Sequence, residues 1–182
     1  MKWTENKPTL KRYFVQAAVG AVVFALVVAL DLVTKRLTED IDKIWVIEGV
    51  FSIVSVRNTG GAWSMFGDNP VMMNVIKGFT FVFIAAVAAA LFYPDKRKNM
   101  FFVVTLGLLG SGALGNLVDR MFLGYVRDFL SFDLINFPVF NVADMALVTG
   151  VFMLVAYIIW VFVKSEIKEK KQKNDKAGGE EK

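Results

Sequence analysis

The stretch MFFVVTLGLLGSGALGNLVDR, residues 100–120, decides the fold. Met100 to Val118 carries no charge. At about 1.5 Å per residue it covers roughly 28 Å, close to the hydrocarbon thickness of a bilayer. Lipid offers no hydrogen bonds to the backbone, so such a segment must be helical. Gly107, Gly110, Gly112 and Gly115 sit at the small-residue spacings that let membrane helices pack closely. Asn116, Asp119 and Arg120 make the end of this helix polar.

Working outward, Tyr13 to Leu30 and Met145 to Val163 are also uncharged, and Val71 to Tyr93 is interrupted only by Lys77, near one end, where it can snorkel. The chain therefore reads as a single-domain, all-α integral membrane protein with four transmembrane helices, at about 13–33, 71–93, 100–118 and 143–163. Lys2, Lys7, Lys11 and Arg12 precede the first helix. Lys96, Arg97 and Lys98 fill the second loop, and Lys164, Lys168, Lys170, Lys171, Lys173 and Lys176 follow the last helix. With four spans these cations share one side, which the positive-inside rule makes cytoplasmic. Loops at about 34–70 and 119–142 then lie outside, and the tail at about 165–182 inside. Val27-Val28-Ala29 is a passable signal-peptide cleavage site. The length of the first span, and the polar motif directly after it, favour a retained helix.

Loop one carries the alternating, β-branched runs Trp45-Val46-Ile47 and Phe51-Ser52-Ile53-Val54-Ser55-Val56, which predict strands, followed by the turn signal Asn58-Thr59-Gly60-Gly61. Trp45, Trp63 and Phe66 suit the membrane interface. Loop three is aromatic-rich, broken by Arg127, Asp128, Asp133 and Pro138, and reads as folded at the interface rather than spanning. The charged tail after about Ile167 is expected to be solvated or disordered.

The chain has no cysteine and no histidine. Disulfides, thiol nucleophiles, Ser-His-Asp triads and His-ligated zinc are therefore excluded, and acid–base chemistry falls to carboxylates, Lys or Tyr. No cofactor or metal is expected. The net charge of +4 comes largely from the termini and one loop, and bears on topology and membrane lipids rather than nucleic acid.

Ionisable groups at membrane depth are expensive and usually functional. Here Asp31 and Lys35 end the first helix; Asn116, Asp119 and Arg120 end the third. Asp128 follows, and Asn141 and Asp144 open the fourth. Each has a purely architectural explanation. Asp31 and Lys35 form an i,i+4 pair, Asp119 neighbours Arg120, and Asn141 can cap a helix whose first turn favours Asp144. Asp128 is hardest to dismiss, since its only adjacent counter-charge is Arg127. Two carboxylates held together share a proton near neutral pH and can activate water. The residues alone leave open whether Asp119 or Asp128 faces Asp144.

Five motifs in order resemble the lipoprotein signal peptidases (signal peptidase II): Asp31-x-x-Thr34-Lys35, Asn58-x-Gly60-x-Ala62-Trp63, Gly112-x-x-Gly115-Asn116-x-x-Asp119-Arg120, Val126-x-Asp128-Phe129 and Phe140-Asn141-x-Ala143-Asp144. The likeness covers roughly residues 12–164. It implies an intramembrane aspartyl endopeptidase that removes the signal peptide from diacylglyceryl-modified prolipoproteins, cutting before the lipidated cysteine. It implies Asp128 and Asp144 as the catalytic dyad. Asn58, Gly60, Asn116, Asn141, Asp31, Lys35, Asp119 and Arg120 then bind substrate or support the site. It further implies a small extracytoplasmic β platform and a bacterial inner-membrane location, with both termini cytoplasmic; a monomer is expected. The sequence departs from the family pattern in Ser111-Gly112, where Gly-Gly is frequent, in Trp63, where Phe is common, and in a slightly short segment between Asp128 and Asp144. A small transporter or a structural four-helix subunit is the competing reading. The apolar run of the fourth helix, with only Thr149 and Tyr157 polar, offers no path through the membrane.

Overall fold

Helix α3 (Met100–Phe122) is the axis of the bundle in the computed structural model, which describes residues 9–60, 69–95, 98–135 and 137–177, with side chains to 172. Of its most apolar window 67% is buried, against 11% for each of the other three spanning helices, α1 (Leu10–Leu37), α2 (Pro70–Phe92) and α4 (Val142–Ala177). All four are long and apolar enough to cross a membrane, so the chain is a multi-pass membrane protein. The glycines of α3 explain its central place. A Cβ at Gly107 would lie 3.1 Å from the Gly20 carbonyl oxygen of α1, and one at Gly110 would lie 3.2 Å from both Phe24 of α1 and Val87 of α2. One at Gly112 would run into the Ala143 carbonyl oxygen of α4. Side-chain-free positions thus bring three helices against α3, while α2 has little contact with α1 and α4.

A prediction follows from the unequal surroundings of two glycines. Gly112→Ala must push the start of α4 aside, because backbone atoms block the new methyl group. Such overpacking costs about 1–3 kcal/mol. Gly78→Ala meets nothing within 4 Å and gains roughly 0.5–1 kcal/mol of helix propensity. Thermal unfolding in detergent should show opposite shifts for the two variants.

Three antiparallel strands, in the order β1 (Ile44–Ile47), β2 (Phe51–Asn58), β3 (Val126–Phe132), form the small sheet at one end of the bundle. The first two come from loop one. The third comes from loop three, which had been expected to fold at the interface without a strand being assigned to it. At the start of β3, Val126 and Asp128 are buried while Arg127 between them is partly exposed. Aspartate is a poor strand former, and β2 overrides that preference by supplying a paired edge. Lys43 and Ser52 both bond the Asp133 carboxylate at the end of β3, holding its pKa below the usual carboxylate range.

Two further expectations change. Asp119 pairs with Lys35 and Arg127 rather than with its sequence neighbour Arg120. The tail beyond Ile167, expected to be solvated or disordered, continues α4 as a helix to Ala177, with its side chains exposed through Gln172. No Gly or Pro interrupts it before Gly178, and Glu166–Lys170 and Glu169–Lys173 have the i,i+4 order that favours helix. Ala62, Trp63, Phe66, Lys2, Lys7, Lys96 and Arg97 lie outside the described residues.

Candidate active site

Two acidic layers lie at the sheet end of the bundle. The inner layer is sealed. Asp31 and Lys35 are both 0% exposed and lie 2.8 Å apart, on successive turns of α1. Lys35 Nζ also lies 3.4 Å from Asp119 and donates to Asn116 Oδ1 at 3.0 Å. Asp31 accepts the Ala143 backbone N–H at 2.8 Å, so α1 holds the first turn of α4. Asp119 is gripped from the other side by Arg127, through its backbone N–H at 3.0 Å and its guanidinium at 2.7 Å. Arg127 reaches on to Glu39 at 3.3 Å.

The outer layer is open. Asp128 and Asp144 line one cleft of about 280 Å3, together with Asn58, Asn116 and Arg120, and an apolar wall of Phe79 and Phe83 from α2. Strand pairing places Asp128: Val56 opposes it, and Asn58 is its diagonal neighbour on β2, with Nδ2 donating to Asp128 Oδ2 at 2.9 Å. Phe140 bonds back to Phe129 and Leu130, which brings Asn141 beside β3. Asn141 Nδ2 then donates to Asp128 Oδ1 at 2.6 Å.

Asp144 is placed by helix capping. Asn141 Oδ1 accepts the Asp144 N–H at 2.9 Å, and Asp144 Oδ2 accepts the Asn141 N–H at 3.1 Å. This reciprocal pair satisfies two backbone donors at the start of α4, as in a capping box. The capping explanation considered from sequence is correct, and it leaves Asp144 Oδ1 to accept Asn116 Nδ2 at 2.7 Å.

Each asparagine is held in one orientation by a group that can only donate. Lys35 donates to Asn116 Oδ1, the Gly60 N–H to Asn58 Oδ1 at 3.1 Å, and the Asp144 N–H to Asn141 Oδ1. All three amide NH2 groups must therefore face the two open carboxylates. Burial pushes the Asp128 carboxyl up to about 6; Asn58 and Asn141 oppose that rise, and nearby Asp144 adds to it. Arg120 lines the cleft, and its buried Nε has no hydrogen-bond partner among the described residues. Among those residues no group of three acidic side chains is arranged to hold a metal ion.

The structure thus brings Asp128 and Asp144 to one cleft, with Asn58, Asn116, Asn141 and Arg120 around them, and puts Asp31, Lys35 and Asp119 behind it. Gly60 acts through its backbone N–H. Sequence reasoning missed the α2 wall, because Phe79 and Phe83 look like any lipid-facing residues there. Arg127, the only counter-charge adjacent to Asp128 in sequence, turns to Asp119 instead.

The fold has close solved counterparts. One bacterial membrane enzyme superimposes with a TM-score of 0.70 at 28% identity, covering 85% of this chain and 91% of its own. A second gives 0.67, covering 84% and 96% at 28% identity. Fold and cleft therefore define a multi-pass membrane enzyme. The chain belongs to the signal peptidase II family, whose model, described as "Signal peptidase (SPase) II", matches residues 23–160. It is 37% identical over 142 residues to the lipoprotein signal peptidase of Enterococcus faecalis, covering 76% of this chain and 86% of that protein. Against the lipoprotein signal peptidase of Staphylococcus aureus it is 33% identical over 155 residues, covering 82% and 91%.

Proposed function

We propose that this protease removes signal peptides from diacylglyceryl-modified prolipoproteins by an aspartyl mechanism, with Asp128 and Asp144 as the dyad. One observation carries the assignment: among the described residues, Asp128 and Asp144 are the carboxylates that line the cleft, while Asp31 and Asp119 are sealed against cations. Asp128, with its raised pKa, is the member that holds the proton. Asp144 serves as the base and takes a proton from a water placed between them, and that water attacks the scissile carbonyl. Asp128 donates to the carbonyl oxygen as it becomes tetrahedral. Asn58, Asn116 and Asn141 keep both carboxylates from turning. Arg120 supplies positive charge at the wall of the cleft.

Several finer points go with this reading. In this reading the sheet end lies outside a bacterial inner membrane and both termini lie in the cytoplasm, which the cation distribution supports. The substrate's acyl chains stay in lipid beside α2 while its backbone reaches the dyad. The protein acts as a monomer, without cofactor or metal. The transporter and scaffold readings are not favoured, because the polar groups gather at one level and the family is that of a peptidase.

The test is a gel-shift cleavage assay in detergent with lipidated and unlipidated forms of one prolipoprotein. Only the lipidated form should be cut. For that substrate log kcat/KM should fall by one unit per pH unit above about pH 6, as Asp128 loses its proton. The limb in kcat should lie higher, since bound substrate excludes water and disfavours ionisation further. Equal cutting of the unlipidated form would refute the substrate assignment. A kcat/KM rising through pH 6 would reverse the roles of the two aspartates.

A further inference from the structure

At the opposite end of the bundle, about 30 Å along α4 from Asp144, a larger cavity of about 900 Å3 opens between α4 and the α2–α3 connection. Its rim is built around Lys98, which is only 8% exposed. The Lys98 amine closes the end of α2 by donating to the carbonyls of Leu91, at 3.0 Å, and Tyr93. The Lys98 carbonyl accepts from Arg12 at 2.7 Å and from Gln16 at 2.9 Å, tying α1 to the same rim. Arg12 and Lys164 stand with Lys98 at the cavity, against one carboxylate, Asp95. The wall is aromatic. Phe102 stacks on Tyr157 at 4.6 Å, Tyr157 lies 5.9 Å from Trp160, and Lys164 Nζ sits 4.7 Å over the Trp160 ring.

We propose that this cavity binds one anionic glycerophospholipid, with its phosphate between Arg12 and Lys164 and its glycerol and upper acyl chain against Phe102, Tyr157 and Trp160. Charge selects the headgroup, since among the described residues three cations line the cavity beside one carboxylate. The Arg12 guanidinium has five N–H donors, and a single one of its nitrogens donates to the Lys98 carbonyl. A zwitterionic choline lipid is a poorer fit, because Lys164 already covers the Trp160 face that a quaternary ammonium would take. Free phosphate would leave the aromatic wall uncovered and most of the volume empty. The cavity lies at the level where the apolar run of α4 gives way to its Lys-rich extension, so a lipid there has chain and headgroup at matching depths. The proposal goes beyond the peptidase reading and does not rest on it.

Native mass spectrometry of the full-length protein, equilibrated with equal amounts of phosphatidylglycerol and phosphatidylcholine, tests it without any substrate. Wild type should retain one phosphatidylglycerol in preference to phosphatidylcholine. Arg12→Gln/Lys164→Gln should lower that retention by about 5-fold per cation removed. Lys168→Gln/Lys170→Gln/Lys171→Gln should leave it in place, which separates the cavity from general attraction to the basic tail. Trp160→Ala should weaken retention of both lipids. Equal retention of the two lipids by wild type would overturn the proposal whatever the variants do. So would retention undiminished in the Arg12/Lys164 variant, or displacement of the bound lipid by inorganic phosphate.

Discussion

Asp128→Asn and Asp144→Asn should each lower kcat/KM for prolipoprotein cleavage by at least about 10⁴, while Asp119→Asn retains measurable activity. A positioned acid or base contributes roughly 10²–10⁴, and the two groups act as one unit, so losing either removes the concerted step. The expected stability effects run differently. In Asp128→Asn the new amide must meet the Nδ2 of either Asn58 or Asn141, and neither neighbour can turn, because its own Oδ1 is already committed. One donor facing another costs about 1–3 kcal/mol. Asp119→Asn weakens contacts with Lys35 and Arg127 deeper in the bundle and should cost more stability with less loss of chemistry. Cleavage and thermal unfolding measured on the same preparations separate the two effects. A folded, inactive Asp119→Asn beside an active Asp128→Asn would move the dyad to Asp119.

Lys35→Met should be the most destabilising single change in the bundle. Lys35 is fully buried between Asp31 and Asp119, both almost fully buried themselves. Removing one member of a buried charge cluster leaves the others without compensation and costs about 3–5 kcal/mol. The same change removes the charged donor to Asn116 Oδ1 and leaves, among the described residues, only Asn141 Nδ2, at 3.1 Å, to keep the Asn116 NH2 facing Asp144, so that orientation is held less firmly. Activity should fall even under conditions where the variant stays folded. Asp31→Asn added to Lys35→Met removes one stranded charge and should restore part of the stability but not the activity. A Lys35→Met protein unfolding within about 1 kcal/mol of wild type would mean that Asp31 and Asp119 do not need its charge.

The membrane helices were legible because a lipid environment imposes one backbone solution on any long apolar run. Three of the five motifs stand out because they set ionisable groups at the ends of apolar helices, whereas those at Asn58 and Val126–Phe129, at the end of β2 and in β3, were legible only through the family resemblance. Three features were not. Strand β3 was obscured by Asp128, a residue that local propensity argues against and β2 accommodates. The partner of Asp119 was misjudged because adjacency along a helix says little about facing: Arg120 is one residue away, whereas Lys35 and Arg127 arrive from α1 and β3. The α2 wall was invisible because Phe79 and Phe83 differ from other apolar residues only in what lies opposite them. Asp144 shows the converse: its architectural and proposed chemical explanations are both compatible with the geometry, since capping uses one carboxylate oxygen and leaves the other to the cleft.

Helix α2 leans on α3 and scarcely meets α4, yet both α2 and α4 contribute side chains to the carboxylate cleft. Among the described residues, then, nothing closes the cleft between α2 and α4, the side that would face lipid. A compound that blocks it arrives by partitioning into lipid and diffusing in two dimensions, so its potency tracks its concentration in the membrane rather than in the medium. Two inhibitors with equal affinity for the cleft would then rank by their lipid–water distribution, and dilution into excess empty vesicles would release the more hydrophobic of them.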